Sequence, residues 1–433
     1  MQFKDNVFII PHEEGYLLYT PYTDAIKYLE TFEINDELRE ELITEGVLLP
    51  KDVNGPAIAR YIINKIKQAN ETVLQITDAF SYKCNLKCVY CMQQNIHEVD
   101  KRMDPKERVA EWKHLMELHD VDKLNVCLFG GEPFFNISYI EQILKIADKE
   151  IGDIGYSVVT NGTLIDQKIL DLINTYNINR IQITIDGPEA THNSRRISND
   201  LNSFQASISN IHEILEQTQA TIIINSVIDT ANYDNIDEST DLLINEFKDY
   251  ILCEKPRIIF NYGMECHPFG KSSYTKEHIP ELKQYYRNYL ELLEKEIRKG
   301  ISTTEIIPSP ICIAKEPNDI LIAPNGDIYK CISALGVSEF KICDYNDIQH
   351  NKMIYIEKLV SFSNKTFESC VNCKYLALCN GGCFYDASVE NIPQACRKEI
   401  MEVQMPYLIR LRYITEEIES GVFRIYDNNN TNR

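Results

Sequence analysis

The chain has 433 residues, which is longer than one ordinary domain core and predicts two or three domains. A content of 44% hydrophobic and 25% charged residues excludes a disordered chain, and the net charge of −21 disfavours nucleic acid as the main partner. No apolar run approaches the roughly 18 residues that cross a bilayer, and the first residues show no secretory signal, so we expect a cytoplasmic protein that acts on a peptide or a small molecule.

The first 70 residues are expected to form a small separate α+β unit. The apolar runs Val7–Ile10 and Tyr16–Tyr19 flank a polar turn and predict a short hairpin. Helical patterns follow at Asp24–Glu30 and Asp36–Glu45. This part of the chain therefore combines a hairpin with short helices.

Apolar runs alternate with amphipathic stretches from about residue 72 to residue 265. The apolar runs predict six strands, at Val73–Thr77, Leu124–Phe129, Tyr156–Thr160, Ile181–Ile185, Thr221–Ile228 and Ile258–Tyr262. The stretches between them predict helices near 105–119, 137–149, 165–176, 202–217 and 236–247. Buried parallel strands read as continuous apolar runs and need crossover helices, so six such units predict a partial (β/α)6 barrel. A doubly wound open sheet fits the alternation almost as well, and the motifs must decide between the two.

The chain has fourteen cysteines, which are many for a cytoplasmic protein and favour metal ligation over disulfides. Three lie between residues 84 and 91, and seven form a group that starts at 312 and ends at 396. Four belong to neither group, namely Cys127, Cys253, Cys266 and Cys343. Cys127 falls in the middle of a predicted strand and is expected to be a small core residue.

The first group, Cys84, Cys88 and Cys91, has C-x3-C-x2-C spacing and directly follows the first predicted strand. Three thiolates on one short loop can hold three irons of a 4Fe–4S cluster and leave the fourth iron without a protein ligand. A zinc site is the alternative, but it normally has four ligands, and His97 is the nearest later candidate.

This loop, with Tyr90 just before its last cysteine, resembles the signature of radical S-adenosylmethionine (SAM) enzymes. The resemblance implies that the open iron binds the amino and carboxylate groups of SAM. It also implies that one electron cleaves SAM to a 5′-deoxyadenosyl radical, which abstracts hydrogen from the substrate. Tyr90 is then expected to lie at the adenine.

Motifs after the next two strands resemble the same family. Gly130, Gly131 and Glu132 begin a GGEP sequence after the second strand, where glycines allow close approach to the ligand and Glu132 would accept a hydrogen bond from the SAM ammonium. Asn161 lies in the TNGT sequence that closes the third strand and is also expected to contact SAM.

The sequence DGPEATHNSRR after the fourth strand resembles a segment of peptide-modifying members of the family. The resemblance implies that Arg196 pairs with the SAM carboxylate, and Arg195 is a competing candidate. Asn193 stands where the family usually has an aspartate. For His192, a structural hydrogen bond and a functional role are left open.

The C-terminal cysteines resemble the SPASM domain, a two-cluster extension of radical SAM enzymes. Cys312 and Cys331 enclose Gly326 in C-x13-G-x4-C spacing, whose turn predicts a hairpin, and the series of Cys370, Cys373, Cys379, Cys383 and Cys396 follows. Zinc knuckles are the alternative. The resemblance implies that one 4Fe–4S cluster is held by Cys370, Cys373, Cys379 and Cys396, and three irons of another by Cys312, Cys331 and Cys383.

The resemblance leaves the eighth auxiliary ligand open, because Ile306 stands where sulfatase maturases have a cysteine. Cys266, Cys343, a group other than cysteine, a substrate thiolate or no ligand remain possible.

The family resemblance implies a peptide maturase with three 4Fe–4S clusters and SAM that installs a thioether, carbon–carbon or ether crosslink in a ribosomally made precursor peptide. Its expected partners are that peptide and a small electron donor such as flavodoxin or ferredoxin, without nucleic acid or membrane. A sulfatase-maturating enzyme that forms formylglycine is the alternative, although Ile332 stands where those enzymes have an aspartate after the second SPASM cysteine. A non-enzymatic zinc-binding protein is the alternative from another class.

The predicted division has four parts, which are 1–70, 71–300, 301–410 and the helix end and tail at 411–433. The first part faintly resembles modules that capture a leader peptide through an added strand, and a brace for the barrel is the alternative. The catalytic residue is not identified, although Tyr262, Glu265 and His267 are expected to face the cavity at the end of the sixth strand.

Overall fold

The computed structural model describes residues 2–4, 6–31, 33–50, 53, 55–70, 72–93, 96, 102–265, 278–304, 312–350, 352–363, 370–389, 391 and 395–419. The chain divides into two compact units that are both discontinuous in sequence. The terminal unit comprises Met1–Ile66, His267–Ile311 and Thr366–Arg433, and the sheet unit comprises Lys67–Cys266 and Cys312–Lys365. The compact units therefore divide the chain differently from the four successive parts predicted above, which stay a prediction.

The described residues form fourteen strands and fourteen α-helices. The strands are β1 (Gln2–Lys4), β2 (Val7–His12), β3 (Gly15–Thr20), β4 (Ala25–Leu29), β5 (Val73–Ala79), β6 (Lys87–Cys88), β7 (Lys123–Phe129), β8 (Asp153–Thr160), β9 (Ile178–Thr184), β10 (Arg196–Ile197), β11 (Thr221–Ile228), β12 (Ile258–Met264), β13 (Asp319–Ile322) and β14 (Ile328–Tyr329). The helices are α1 (Asp36–Thr44), α2 (Gly55–Asn70), α3 (Pro105–His119), α4 (Ile137–Glu150), α5 (Gln167–Thr175), α6 (Glu189–Arg195), α7 (Ser203–Gln217), α8 (Ile236–Ile251), α9 (Ile279–Ile297), α10 (Tyr345–His350), α11 (Lys352–Ser363), α12 (Leu376–Cys379), α13 (Phe384–Val389) and α14 (Lys398–Glu419). None of these helices combines the length and the hydrophobicity that a membrane span requires.

The terminal unit begins with an antiparallel sheet in the order β1-β2-β3-β4. The predicted hairpin is confirmed, with Phe8 opposite Tyr19 and Ile9 opposite Leu18. The helix predicted at Asp24–Glu30 is wrong, because β4 occupies this segment and pairs with β3. A seven-residue pattern is too short to distinguish the two periods, and pairing with an existing strand decides the outcome.

The remaining helices of the terminal unit pack in two places. Helices α9 and α14 are joined by the ion pair of Lys283 and Glu399, whose nitrogen and oxygen atoms are 2.7 Å apart. A core that contains Leu49 and Ala59 also contains Cys370 and Leu376. Cys370, the first cysteine of the C-terminal series, is therefore packed against the N-terminal part of the same unit. The polar tail lies outside the described residues.

The sheet unit is built on an eight-stranded sheet in the order β12-β11-β9-β8-β7-β5-β13-β14. The six predicted strands and the five predicted helices between them are confirmed, and the six strands pair in parallel with their sequence neighbours. A doubly wound fold needs a reversal of strand order, and these six strands have none, so that alternative is wrong. The result is an α/β fold with a mostly parallel central sheet.

Residues alternate between the two faces of this sheet. In β7, Leu124, Val126 and Leu128 are buried, whereas Asn125 and Cys127 on the other face are half-buried. Cys127 therefore does not lie among the buried leucines of its strand.

Tyr262 of β12 takes a different position from the one expected. It is buried, and its hydroxyl is 2.8 Å from the Thr240 hydroxyl of α8. Its side chain therefore faces a helix, and the expectation that it faces the cavity is wrong.

The hairpin predicted between Cys312 and Cys331 is confirmed, and it continues the central sheet. β13 pairs in parallel with β5, and β14 pairs with β13. The fully buried Arg108 of α3 donates to the carbonyl oxygens of Ala323 and Pro324 in the hairpin turn, at 2.9 and 2.8 Å. The hairpin is therefore an integral part of the sheet unit.

Candidate metal and cofactor site

The three closely spaced cysteines lie in residues 80–93, here called the cysteine loop, directly after β5. Within this loop β6 pairs with β10, which places Arg196 opposite Cys88. The backbone N–H of Val89 also donates to the Arg195 carbonyl at 2.9 Å. The structure therefore brings the cysteine loop and the predicted SAM-binding arginine together.

Gly130 and Gly131 lie directly against the backbone of the cysteine loop. The N–H of Gly131 donates to the Ser81 carbonyl at 2.8 Å, and the N–H of Glu132 donates to the Lys83 carbonyl at 2.9 Å. A Cβ atom at Gly130 would overlap the Ser81 oxygen, and one at Gly131 would overlap the Lys83 oxygen. These glycines are thus required for contact with the cysteine loop, a reason the sequence pattern did not reveal.

Glu132 is buried and accepts hydrogen bonds from the neighbouring motif. One carboxylate oxygen accepts from the Thr160 hydroxyl at 2.8 Å, and the other accepts from the Asn161 N–H at 2.7 Å. Burial raises the pKa of Glu132, and these donors oppose the rise. The carboxylate therefore holds the second and third predicted motifs together.

Asn161 connects the third motif to the first cysteine. Its amide nitrogen donates to the Asn85 side chain at 2.8 Å and is 3.8 Å from the Cys84 sulfur. Its side-chain oxygen accepts from the Thr163 N–H at 2.9 Å. Asn161 therefore holds the cysteine loop at Cys84 and Asn85.

The hydroxyl group of Tyr90 takes part in a polar network beside the cysteine loop. Its hydroxyl donates to Asp186, and Arg196 donates to that hydroxyl at 2.7 Å. Asp186 is fully buried and also accepts from the Val227 N–H at 2.9 Å. The network holds Tyr90 and Arg196 in place beside the cysteine loop.

The two competing arginines have different partners. Arg195 donates to both oxygens of Asp229, at 2.8 and 2.9 Å, and to the Val227 carbonyl at 3.1 Å. Arg196 instead donates to the Tyr90 hydroxyl and lies opposite Cys88. The Nε atoms of both arginines are buried without a hydrogen-bond partner among the described residues, but the guanidinium of Arg195 is already paired with a carboxylate. The geometry therefore favours Arg196 as the donor for an anionic ligand.

His192 and Asn193 have structural partners. The ring Nδ1 of the buried His192 accepts from the Asp186 N–H at 3.4 Å, and burial lowers its pKa to about 3, so the ring is neutral. The Asn193 side chain accepts from Phe204 N–H at 3.0 Å and donates to Asn202 at 2.9 Å. An aspartate could not make the second bond, which explains the departure from the family pattern.

In the terminal unit, the four cysteines predicted for one auxiliary cluster line a single cavity: Cys370, Cys373, Cys379 and Cys396. Gly382 has φ of +87°, and a Cβ atom there would overlap the Ala395 oxygen. This close approach places the segment before Cys396 beside the turn that follows Cys379. We call this space the C-terminal cavity.

The other C-terminal cysteines lie apart from this cavity. Cys383 is not among its lining residues, and its sulfur accepts from the Asp386 N–H at 3.5 Å. Cys312 and Cys331 flank the hairpin of the sheet unit. Cys343 is buried beside that hairpin, and burial raises the pKa of its thiol to about 12.

Four predicted positions lie outside the described residues: His97, Cys266, His267 and Ile306. Glu265 directly follows β12, and burial raises its pKa.

The donor chemistry fits a soft metal. All thirteen cysteines in the described part of the chain are free thiols. Burial raises the pKa of Cys84 to about 11 and also that of Cys88, so a thiolate here needs nearby positive charge. Arg196 supplies part of that charge, and iron ions would supply the rest. Among the described residues, no three His, Cys, Asp or Glu side chains are gathered in a metal-binding arrangement, and the ligand sets stay predictions.

Sequence reasoning missed the residues that hold the cysteine loop in place, which are Asn85, Asp186 and Asp229. Asp186 and Asp229 directly follow or lie near the carboxyl ends of β9 and β11, where functional groups gather in such folds. That position is the signal that could have identified them.

Comparisons with known proteins agree with this geometry. The family model described as Radical SAM superfamily matches residues 79–243. The radical SAM cyclopropyl synthase TigE of Paramaledivibacter caminithermalis is 26% identical, over 84% of this chain and 80% of that protein. A cysteine-type anaerobic sulfatase-maturating enzyme of Clostridium perfringens is 23% identical, over 76% of this chain and 95% of that protein.

Two solved structures share the fold. Streptococcus suis SuiB bound to precursor peptide SuiA has a TM-score of 0.55 at 19% identity and covers 92% of this chain and 99% of that chain. Native anSMEcpe with bound AdoMet and Kp18Cys peptide has a TM-score of 0.56 at 18% identity and covers 79% of this chain and 99% of that chain.

Proposed function

We propose, from the premise that this chain is a radical SAM enzyme, that it modifies a ribosomally made precursor peptide by installing a crosslink. The observation that carries the proposal is the direct attachment of the cysteine loop to three other motifs through Gly131, Asn161 and Arg196. Two structures of the same fold, SuiB and anSMEcpe, hold peptides, which supports a peptide substrate here. Family membership leaves no place for the non-enzymatic zinc protein.

Family membership implies SAM and a 4Fe–4S cluster, which together supply a 5′-deoxyadenosyl radical. Cys84, Cys88 and Cys91 would hold the cluster. Glu132 would accept from the SAM ammonium through the oxygen that is bonded to the Asn161 N–H, which has a second lone pair. Its other oxygen already accepts from Thr160 and from the Phe134 N–H. Arg196 would pair with the SAM carboxylate, because it lies opposite Cys88 and its Nε has no hydrogen-bond partner among the described residues, whereas Arg195 is paired with Asp229.

The proposed architecture is a six-stranded partial barrel with a SPASM extension that holds two further clusters. One would use the four cysteines of the C-terminal cavity. The other would use Cys312, Cys331 and Cys383. Its remaining iron would be bound by Cys266, Cys343, a group other than cysteine or a substrate thiolate, or would have no further ligand. A substrate thiolate there would suit thioether formation.

The terminal unit could capture the leader part of the peptide. Within the described residues β4 pairs only with β3, so its second edge can accept an added strand. The adjacent helix α1 carries Asp36 and Glu37 in its first turn, which favours a basic segment. A brace for the barrel remains the alternative for this unit.

A small electron-donor protein is the second proposed partner. Lys87 and Ile197 are opposed in the β6–β10 ribbon, on the face opposite Cys88 and Arg196. Ile197, Val89 and Met92 are 39%, 56% and 53% exposed. Exposed apolar side chains and a lysine next to a predicted cluster ligand suit the docking of an acidic one-electron carrier.

Formylglycine formation in a sulfatase is less well supported. The aspartate that the family resemblance requires after Cys331 is Ile332 here.

The test begins with protein that is purified anaerobically and reconstituted with iron and sulfide. We expect about twelve irons per chain, and formation of 5′-deoxyadenosine with SAM and dithionite. Cys88→Ala should abolish that product, and Cys253→Ala, an exposed cysteine outside the motifs, should retain it. A precursor peptide encoded beside the gene should lose two hydrogen atoms per crosslink, measured by mass spectrometry. Zinc in place of iron, or full activity in Cys88→Ala, would overturn the assignment.

A further inference from the structure

The C-terminal cavity is lined by cations as well as cysteines. Arg397 and Lys398 line it together with the four thiols. Arg397 directly follows Cys396, so a positive charge adjoins a cysteine that is predicted to bind a cluster.

A buried carboxylate holds the first of these cations. The guanidinium of Arg397 donates to Asp386 at 2.8 Å, with the two side chains 33% and 2% exposed. The Asp386 N–H donates to the Cys383 sulfur at 3.5 Å, and Arg397 directly follows Cys396. The ion pair therefore lies between cysteines predicted to bind two different clusters.

The sign of a charge near a cluster determines the direction in which it shifts the reduction potential of that cluster. A 4Fe–4S cluster with four thiolates carries net negative charge, and one-electron reduction adds to it. A nearby cation stabilises the reduced form and raises the reduction potential, whereas a nearby carboxylate lowers it. The low exposure of Asp386 keeps solvent from screening its charge fully.

We propose that Arg397 and Asp386 set the reduction potential of the cluster in the C-terminal cavity by opposing contributions. The proposal rests on the proposed function, which assigns a 4Fe–4S cluster to Cys370, Cys373, Cys379 and Cys396. The cation beside Cys396 makes one-electron reduction of this cluster easier, and the carboxylate limits that effect. These are positioning residues, which act through the cluster.

The experiment is a redox titration of the reconstituted full-length protein followed by electron paramagnetic resonance. Arg397→Gln should shift the potential of this cluster to more negative values. Asp386→Asn should shift it to more positive values, since it removes the carboxylate charge and keeps the guanidinium. Arg397→Lys should stay close to the unaltered protein, and the double variant Arg397→Gln with Asp386→Asn should lie between the single variants.

Opposite shifts would support the proposal, because loss of a merely structural ion pair would move both single variants in the same direction. Shifts of the same sign, or none, would overturn it. Failure of the underlying ligand assignment is separately visible, since Cys373→Ala would then leave the iron content and the spectrum of the unaltered protein unchanged.

Discussion

The two cysteine-bearing regions are held in different ways. Around the cysteine loop, polar side chains and backbone groups from three other segments contact the loop, among them Asn161 and Arg196. Around the C-terminal cavity, left-handed turn residues at Asn380, Gly381 and Gly382 and apolar packing bring the chain together. A cluster that shares one iron with a co-substrate needs donors around it for that ligand, whereas four thiols can complete a cluster once the chain places them together.

The largest expected effect concerns the contact between the GGEP motif and the cysteine loop. Gly131→Ala should displace the loop backbone, because the new Cβ would overlap the Lys83 oxygen. We expect a loss of about 100-fold or more in SAM cleavage, since small displacements of reacting groups are costly. Gly152→Ala is the matched control, because a Cβ there meets no atom within 4 Å. Unchanged SAM cleavage in Gly131→Ala would show that close contact between the GGEP motif and the cysteine loop is not needed for SAM cleavage.

The corresponding change in the second region is Gly382→Ala, which should disrupt the C-terminal cavity and leave the cysteine loop intact. The new Cβ would overlap the Ala395 oxygen at a φ of +87°. We expect the loss of about four irons per chain, whereas SAM cleavage driven by dithionite should be retained. Iron analysis and product quantification measure both effects on one sample. Loss of SAM cleavage together with the iron would mean that the two regions do not act separately.

Arg196→Gln tests whether the polar network serves the co-substrate. Removing a charge-assisted hydrogen bond to the SAM carboxylate should weaken SAM binding by about 10- to 100-fold. Binding can be followed by the change in the cluster's electron paramagnetic resonance spectrum on addition of SAM. Arg180→Gln, at an exposed position of β9, is the control and should bind SAM normally. Equal affinity in Arg196→Gln would leave Arg196 a role in folding alone.

The smallest effect is expected on the outer face of the ribbon. Lys87→Glu should slow SAM cleavage driven by reduced flavodoxin by roughly threefold to tenfold at low salt, since a rim charge mainly alters association. Cleavage driven by dithionite should not change. Lys149→Glu, at an exposed position near the end of α4, should affect neither reaction. Equal slowing with both reductants would place the effect in the cluster rather than in donor docking.

Much of the sheet unit could be predicted because its strands are long apolar runs separated by amphipathic helices. The helix α2 was missed, although Pro56 next to its first residue Gly55 is a typical helix-start signal. The β4 segment was assigned to the wrong class, since only its pairing with β3 distinguishes it from a helix.

For the site, the spacing of Cys84, Cys88 and Cys91 is local and could be read directly from the sequence. The partners that hold the cysteine loop could not, because Asp186 meets Tyr90 only through a fold that joins residues 96 positions apart. The choice between Arg195 and Arg196 likewise depends on Asp229, which lies beyond α7 in the chain.

The hairpin of β13 and β14 has a consequence for how this protein can be shortened. β5, from whose end the cysteine loop starts, has β7 on one side and β13 on the other. A truncated chain that ends before β13 would leave the amides and carbonyls along one side of β5 without partners, next to the buried Leu74 and Ile76. Such an edge invites intermolecular strand pairing, so the truncated protein is expected to aggregate rather than to behave as a minimal catalytic core.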